Sequence, residues 1–200
     1  MKKLILLFVS LSFIISTFGQ TKMKITLNDG SVKQGEYWVK MQHLGVPIKP
    51  RIKSSNSKEK YKLEEIENVI MYDGIDSIKF KVIDAKKYLN SKKIEKKLGR
   101  IDYIGDKIQL YNVYELLYQG GAIGLSTTVD SYGEKYVKRT EDNIAYNMGY
   151  IYGAGQRGIK KRVRDYFIDC PELIEKVNNN EIPKHETKKI VLFYEESCGK

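Results

Sequence analysis

The chain has 200 residues, of which 42% are hydrophobic and 30% are charged, and its formal net charge is +10. This length suffices for one sizeable core or two small domains and excludes an array of several large ones. The positive balance favours anionic partners such as acidic glycans, lipopolysaccharide or membrane surfaces. Because only six of the 35 basic residues are arginines, which bind phosphate more specifically than lysines do, the charge equally fits a compositional bias.

Residues 1–19 have the pattern of a secretory signal peptide. Lys2 and Lys3 form a short positive region, residues 4–15 are apolar apart from two serines, and small residues occupy the positions before a cleavage site at Gly19. The apolar run is too short to span a bilayer. We therefore expect an exported protein, periplasmic or secreted, that is not an integral membrane protein and does not meet nucleic acid.

Residues 20–148 are expected to form a β-rich body. Asp29-Gly30 separates two strand-like segments, as in a hairpin whose tight turn needs the positive φ that glycine supplies. Further strand-like segments follow, and a glycine-rich stretch at 119–133 is predicted to be a long mobile loop. The lysine-rich residues 84–97 fit either a short helix or a solvated linker.

The C-terminal part changes to helical periodicity. A second glycine-rich stretch, residues 149–158, is predicted to connect the β-rich body to a helical segment, 159–200. Apolar residues recur there at helical spacing in about three helices, and Pro171 stands where a first helical turn tolerates it. The expected fold class is α+β, with a mainly antiparallel sheet in the form of a small barrel or sandwich, followed by these helices.

The two cysteines of the chain, Cys170 and Cys198, lie in the predicted helical segment. An even pair in an oxidising compartment is a disulfide candidate. Two antiparallel helices can bring such positions together, which is the geometry a disulfide requires. The alternatives are two buried thiols, or a metal site that lacks its other ligands.

Two patterns bear on catalysis, and neither predicts it. Residues 153–158 have the spacing GxGxxG, but helical segments rather than a second parallel strand follow, so the dinucleotide-binding unit is incomplete. His43 and His185 each stand alone, without metal-ligand spacing or a recognisable nucleophile nearby. We therefore predict no catalytic residue, no cofactor and no metal site.

One basic cluster opens the first predicted helix and is a candidate anion-binding site. A helix N-terminus with basic side chains can hold a phosphate group, although a solvated helix face has the same pattern. The candidate residues are Arg157, Lys160, Lys161, Arg162 and Arg164.

Four segments resemble a group of uncharacterised secreted proteins of the Bacteroidota. They are ITLNDGSVKQGE (25–36), YKLEEIENV (61–69) and, most specifically, YFIDCPELIEKVNN (166–179) with IVLFYEESC (190–198). The resemblance implies export and a β-rich body joined to a cysteine-bearing helical tail. It implies no activity.

These observations favour a non-enzymatic secreted or periplasmic cell-envelope protein that acts by binding a partner. A binder of anionic glycans or lipid head groups through the basic surface is the first alternative. An unrecognised hydrolase is the second, and it would need catalytic groups gathered from distant segments.

Overall fold

The computed structural model describes residues 21–40, 51–73, 75–119, 128–150 and 158–198. The predicted signal peptide, His43 and Arg157 lie outside these residues, as do most of the predicted connector and the central part of the predicted loop 119–133. No helix within the described ranges has the length and apolar character needed to cross a bilayer.

Strands fill the first three quarters of the described chain and helices the last quarter. The strands are β1 (Thr21–Leu27), β2 (Val32–Lys40), β3 (Arg51–Ser54), β4 (Lys60–Lys62), β5 (Ile66–Asp73), β6 (Asp76–Lys86), β7 (Glu95–Ile104), β8 (Ile108–Gln119), β9 (Thr128–Arg139) and β10 (Ile144–Tyr150). The helices are α1 (Ile159–Tyr166), α2 (Pro171–Asn178) and α3 (Thr187–Ser197), and a 3₁₀ turn covers Leu63–Glu65. The predicted α+β class, with a mainly antiparallel sheet and three C-terminal helices, is confirmed.

The predicted hairpin at Asp29-Gly30 is formed by β1 and β2. Gly30 has a φ of 81°, and the N–H of Ser31 donates to the Asp29 carboxylate at 2.8 Å. Glycine adopts this left-handed conformation without the steric cost that a Cβ would bring. The turn therefore forms for the reason that the sequence indicated.

Strands β5, β1, β2, β3 and β4 lie side by side in that order and curl around a first apolar core. Two strands separate β1 from β4, yet Met23 and Tyr61 are both buried in the same cluster, which indicates that these strands curve to cover one face. The other buried members of this core are Ile25, Tyr37, Ile52, Ile66, Val69 and Phe80.

Strands β6 to β10 continue the same sheet and close into a ring. The end of β6 pairs in parallel with β10, at Asp84–Lys86 against Ile144–Tyr146, so these five strands form a closed small barrel. The ring encloses a second core, whose buried members are Ile83, Ala85, Tyr111, Val113, Tyr136 and Ala145. The ring is therefore a small barrel, which is one of the two architectures expected, and not a sandwich.

Two segments within the β-rich body differ from the expectations. Both ends of the lysine-rich stretch 84–97 are strand rather than helix or linker, because β6 runs to Lys86 and β7 begins at Glu95. Strand β9 begins at Thr128, so residues 128–133 of the predicted mobile loop are strand, and that part of the prediction is wrong. The physical reason is the long ladder with β8, in which Gly133 pairs with Tyr114.

The three helices pack on the outside of the ring. Their apolar stripes meet Ile108, Leu110 and Val137, which alternate with the inward-facing residues of β8 and β9. The predicted disulfide is confirmed: Cys170, just before α2, is bonded to Cys198, just after α3, with the two Cα atoms 5.8 Å apart.

A carboxylate fastens α3 to the turn between β7 and β8. Glu195 accepts backbone N–H groups from Asp106 at 2.8 Å, from Lys107 at 3.1 Å and from Ile108 at 3.2 Å. A Cβ on Gly105 would lie 2.3 Å from the Glu195 carboxylate, so only glycine fits this close approach. The helical layer is thus held to the ring by an apolar core and this charge-assisted cap, while the disulfide joins α2 to α3 within the layer.

Candidate binding surface

The basic residues of α1 are occupied by contacts within the chain. Lys160 donates from Nζ to the main-chain oxygen of Asn178 at 2.8 Å, near the end of α2. Lys161 pairs with Asp165 at 2.5 Å, and Arg164 lies 3.8 Å from the same carboxylate. Two of these cations therefore share one counter-ion, and a third supports the end of a helix.

Arg162 makes more hydrogen bonds than the other basic residues of α1. Its Nη1 donates to the main-chain oxygens of Lys87 at 2.9 Å and Asn147 at 2.7 Å, and to the Asn147 side-chain oxygen at 2.7 Å. Its guanidinium also lies 5.1 Å from the ring centre of Tyr88. Arg162 therefore ties α1 to the ring, and the structure does not gather the α1 cations around a common point.

A different group of cations lies on the sheet, and the sequence analysis did not identify it as a candidate site. Lys22 and Lys24 of β1, with Lys79 and Lys81 of β6, have the alternation that places them opposite the first apolar core, and we call these four residues the lysine face. Strand β5 lies between the two pairs, since Ile70 pairs with both Lys24 and Lys79.

The strand register fixes the dimensions of the lysine face. Lys22 and Lys24 are two residues apart on one strand, about 7 Å, and Lys24 and Lys79 are two strand spacings apart, about 10 Å. Lys22 and Lys79 are exposed, while Lys24 and Lys81 are half-buried. A ligand the size of one or two sugar rings can therefore meet several of these ammonium groups at once.

These four lysines have no counter-ion among the described residues. No ion pair or hydrogen bond joins their ammonium groups to another described side chain, although Glu36 stands directly across from Lys22 in the ladder. Like charges on one sheet face repel each other, which is unfavourable for the isolated chain. The lysine face therefore carries positive charge that is available to a partner.

An open depression of about 460 Å³ adjoins the lysine face. It is lined by Lys22, Gln34, Glu36 and Tyr72, with Met23 and Gly35 beneath. Tyr72 is 36% exposed and pairs with Lys22 across the strands, so an aromatic ring lies beside a cation. Polar groups next to an exposed ring are a combination that can orient a bound molecule.

The remaining sequence candidates do not form a site in the described part of the chain. His185 is exposed, and no three His, Cys, Asp or Glu side chains are grouped as metal ligands there. Gly158 of the GxGxxG pattern opens α1 with a φ of 85°, and helices α2 and α3 follow it instead of a strand.

No protein-family model matches the chain, and no curated protein or solved structure matches it either. The signal that could have indicated the lysine face is the Lys-x-Lys spacing in two predicted strands, at 22–24 and 79–81.

Proposed function

We propose that this chain is an exported, non-enzymatic binding protein of the cell envelope that engages an anionic partner through the lysine face. The observation that carries the proposal is the contrast between four lysines on one sheet face that have no counter-ion among the described residues and the cations of α1, whose described members have partners within the chain. Anionic glycans and lipid head groups are the ligand classes that this surface favours.

The energetic argument rests on charge complementarity. A ligand that places negative groups over the lysine face relieves repulsion among the lysines and gains attraction to them. Because these side chains are exposed or half-buried, the attraction is screened by salt over a distance of about 8–10 Å. Binding is therefore expected to weaken steeply as ionic strength rises.

Export is supported by the signal-like residues 1–19 together with the disulfide. Disulfide bonds persist in oxidising compartments and are rare in the cytosol. The Cys170–Cys198 bond joins the ends of two packed helices, so it acts as part of the folded core rather than as an accessible redox pair. Both observations favour a periplasmic or secreted location.

The test compares two variants with equal changes in net charge. Lys24→Glu/Lys79→Glu reverses charge on the lysine face, and Lys161→Glu/Arg164→Glu does so on α1. On a column of immobilised heparin, used as a sulfated polyanion, the first variant is expected to elute at clearly lower salt than the second. Equal elution would mean that retention follows net charge alone, and a larger effect in α1 would place binding at that helix.

A further inference from the structure

One end of the ring interior is polar. Along three strands the inward-facing rows continue past the apolar core by two residues. Lys81 stands two residues before Ile83, Gln109 two before Tyr111, and Lys138 two after Tyr136. Because strand side chains alternate, these three polar residues point to the same side of the sheet as the ring core. We call them the ring-end group.

The members of the ring-end group lie close together. Gln109 and Lys138 are direct partners in the ladder between β8 and β9, which places their Cβ atoms about 5 Å apart. Burial and the nearby Lys81 ammonium lower the pKa of Lys138, and Asp142 opposes this shift more weakly. Two half-buried ammonium groups thus face each other at the end of the ring.

The hydrogen bonds at this end leave donors rather than acceptors. Lys138 donates from Nζ to the main-chain oxygen of Asp142 at 3.0 Å, which uses one of its three N–H groups. The side-chain oxygen of Gln109 accepts the Tyr111 hydroxyl at 2.5 Å, so the amide –NH₂ of Gln109 remains as a donor. Lys81 has no hydrogen bond to another described residue.

We propose that the ring-end group binds a single phosphate or sulfate group. A phosphate or sulfate substituent has three terminal oxygens and one or two negative charges, and the free ion has four oxygens, so either can accept from two ammonium groups and one amide at the same time. A bridging anion would also separate the like charges of Lys81 and Lys138 with an opposite one.

This inference rests on the proposed function, because Lys81 belongs to both the lysine face and the ring-end group. A ligand lying over Lys24 and Lys79 reaches Lys81 within one further step along β6. The ring end would therefore take one phosphate or sulfate substituent of a ligand whose remaining charges meet the lysine face. The substituent can come from a glycan or from a lipid head group, and the two sources have the same chemistry at this site.

The direct test is a titration of the whole protein with inorganic phosphate and with sulfate, followed by the NMR shifts of backbone amides. Saturable shifts are expected around positions 81, 109 and 138, with a dissociation constant on the order of 1 mM. Lys138→Met is expected to weaken binding about tenfold, since it removes one charge-assisted hydrogen bond. Lys161→Met, on α1, is the matched control and is expected to bind like the unaltered protein.

A second variant separates lost binding from lost folding. Gln109→Glu keeps an oxygen that accepts from Tyr111 but replaces the amide donors with a carboxylate between two lysines. We expect phosphate binding to disappear while the melting temperature stays equal or rises, because the new carboxylate is an internal counter-ion. Absence of saturable shifts in the unaltered protein would overturn the proposal, as would equal affinity in the Lys138→Met variant.

Two further experiments show whether the oxyanion comes from a glycan or from a lipid head group. They also test the ring-end site separately from binding at the lysine face. Binding to heparin and to vesicles containing phosphatidylglycerol is compared between the unaltered protein and Lys138→Met, and the ligand whose binding falls is the source of the oxyanion. If neither falls, the ring end does not take a substituent of a larger ligand, and the inference fails while Lys24 and Lys79 can still govern heparin retention. If phosphate binds at the ring end but Lys24→Glu/Lys79→Glu leaves heparin retention unchanged, the proposed function fails and the ring-end site stands.

Discussion

Helix α1 and the lysine face are both rich in cations, yet their cations have opposite roles. On α1, Arg162 is bonded to three oxygens of the ring region, and Lys160 is bonded to the end of α2. On the lysine face, Lys24 and Lys79 have no bonded partner among the described residues. The first group holds the molecule together, and the second costs it some stability.

The neighbours of a cation, more than its place in a run of basic residues, decide whether it can bind an anion. RGIKKRVR is the densest basic run around α1, and its described members are largely used by the fold. The lysine face is assembled from residues of β1 and β6 that are more than fifty positions apart in sequence. Its ammonium groups have no counter-ion among the described residues.

The largest effect is expected from removing the disulfide, which joins α2 to α3 in the helical layer. Cys170→Ala/Cys198→Ala opens a loop of 28 positions and is expected to lower the free energy of unfolding by about 3.5 kcal/mol. Urea unfolding measures this loss. Heparin retention of the still-folded variant should be unchanged, and a loss of retention before unfolding would show that the helical layer shapes the lysine face.

Gly105→Ala tests the cap between α3 and the ring. The added Cβ would collide with the Glu195 carboxylate, so we expect a loss of about 2–3 kcal/mol in the free energy of unfolding. In a Glu195→Ala background the same change should cost less, because the carboxylate is gone and only the Tyr103 ring, 2.7 Å from the Cβ position, still collides with the added methyl group. Additive losses in this double-mutant cycle would contradict a direct contact.

Arg162→Met and Lys24→Met compare the two classes of cation most directly. The first leaves three oxygens without their charged donor and is expected to cost about 2 kcal/mol of unfolding free energy. The second removes an unpaired charge and is expected to change stability by less than about 0.5 kcal/mol. Thermal unfolding at low salt checks both, and an equal loss in the two variants would erase the distinction.

A smaller effect than that of Arg162→Met is expected at Tyr111, directly behind the ring-end group. Burial raises the pKa of Tyr111 to about 12, above its ordinary value of 10.0. Since the folded pKa is the higher one, the stability that depends on neutral Tyr111 is complete below pH 10 and is lost as pH rises towards 12. Tyr111→Phe should cost about 1 kcal/mol at neutral pH and remove this part of the alkaline loss. An unchanged slope of stability against pH above 10 would show that Tyr111 is not the group responsible.

The local features of this fold could be predicted from the sequence. Asp29-Gly30 indicates its hairpin because one glycine satisfies one turn, and Pro171 marks the start of α2 because its missing N–H costs nothing there. The Cys170–Cys198 bond is the pairing that two cysteines at the ends of two antiparallel helices predict. Each of these inferences depends on residues close in sequence or on a pair with no competitor.

The long-range features could not be predicted in the same way. The closure of the ring depends on three residue pairs between β6 and β10, about sixty positions apart, and no local pattern specifies a parallel contact of that kind. The lysine face depends on the register of β1 and β6 against β5. The capping role of Glu195 has no local signal in the sequence, because the turn that it caps lies about ninety residues earlier.

The closed ring also bears on how this protein keeps apart from its own copies. A strand with unpaired N–H and C=O groups is a template for edge-to-edge aggregation. Here the terminal strand β10 bonds to β9 on one side and to β6 on the other, which leaves β4 as the edge of the described sheet. That edge is three residues long and reads Lys-Tyr-Lys, with both lysines exposed. Short length and charge are two of the means by which natural sheets discourage such pairing, so this end of the described sheet presents little to which another copy could add.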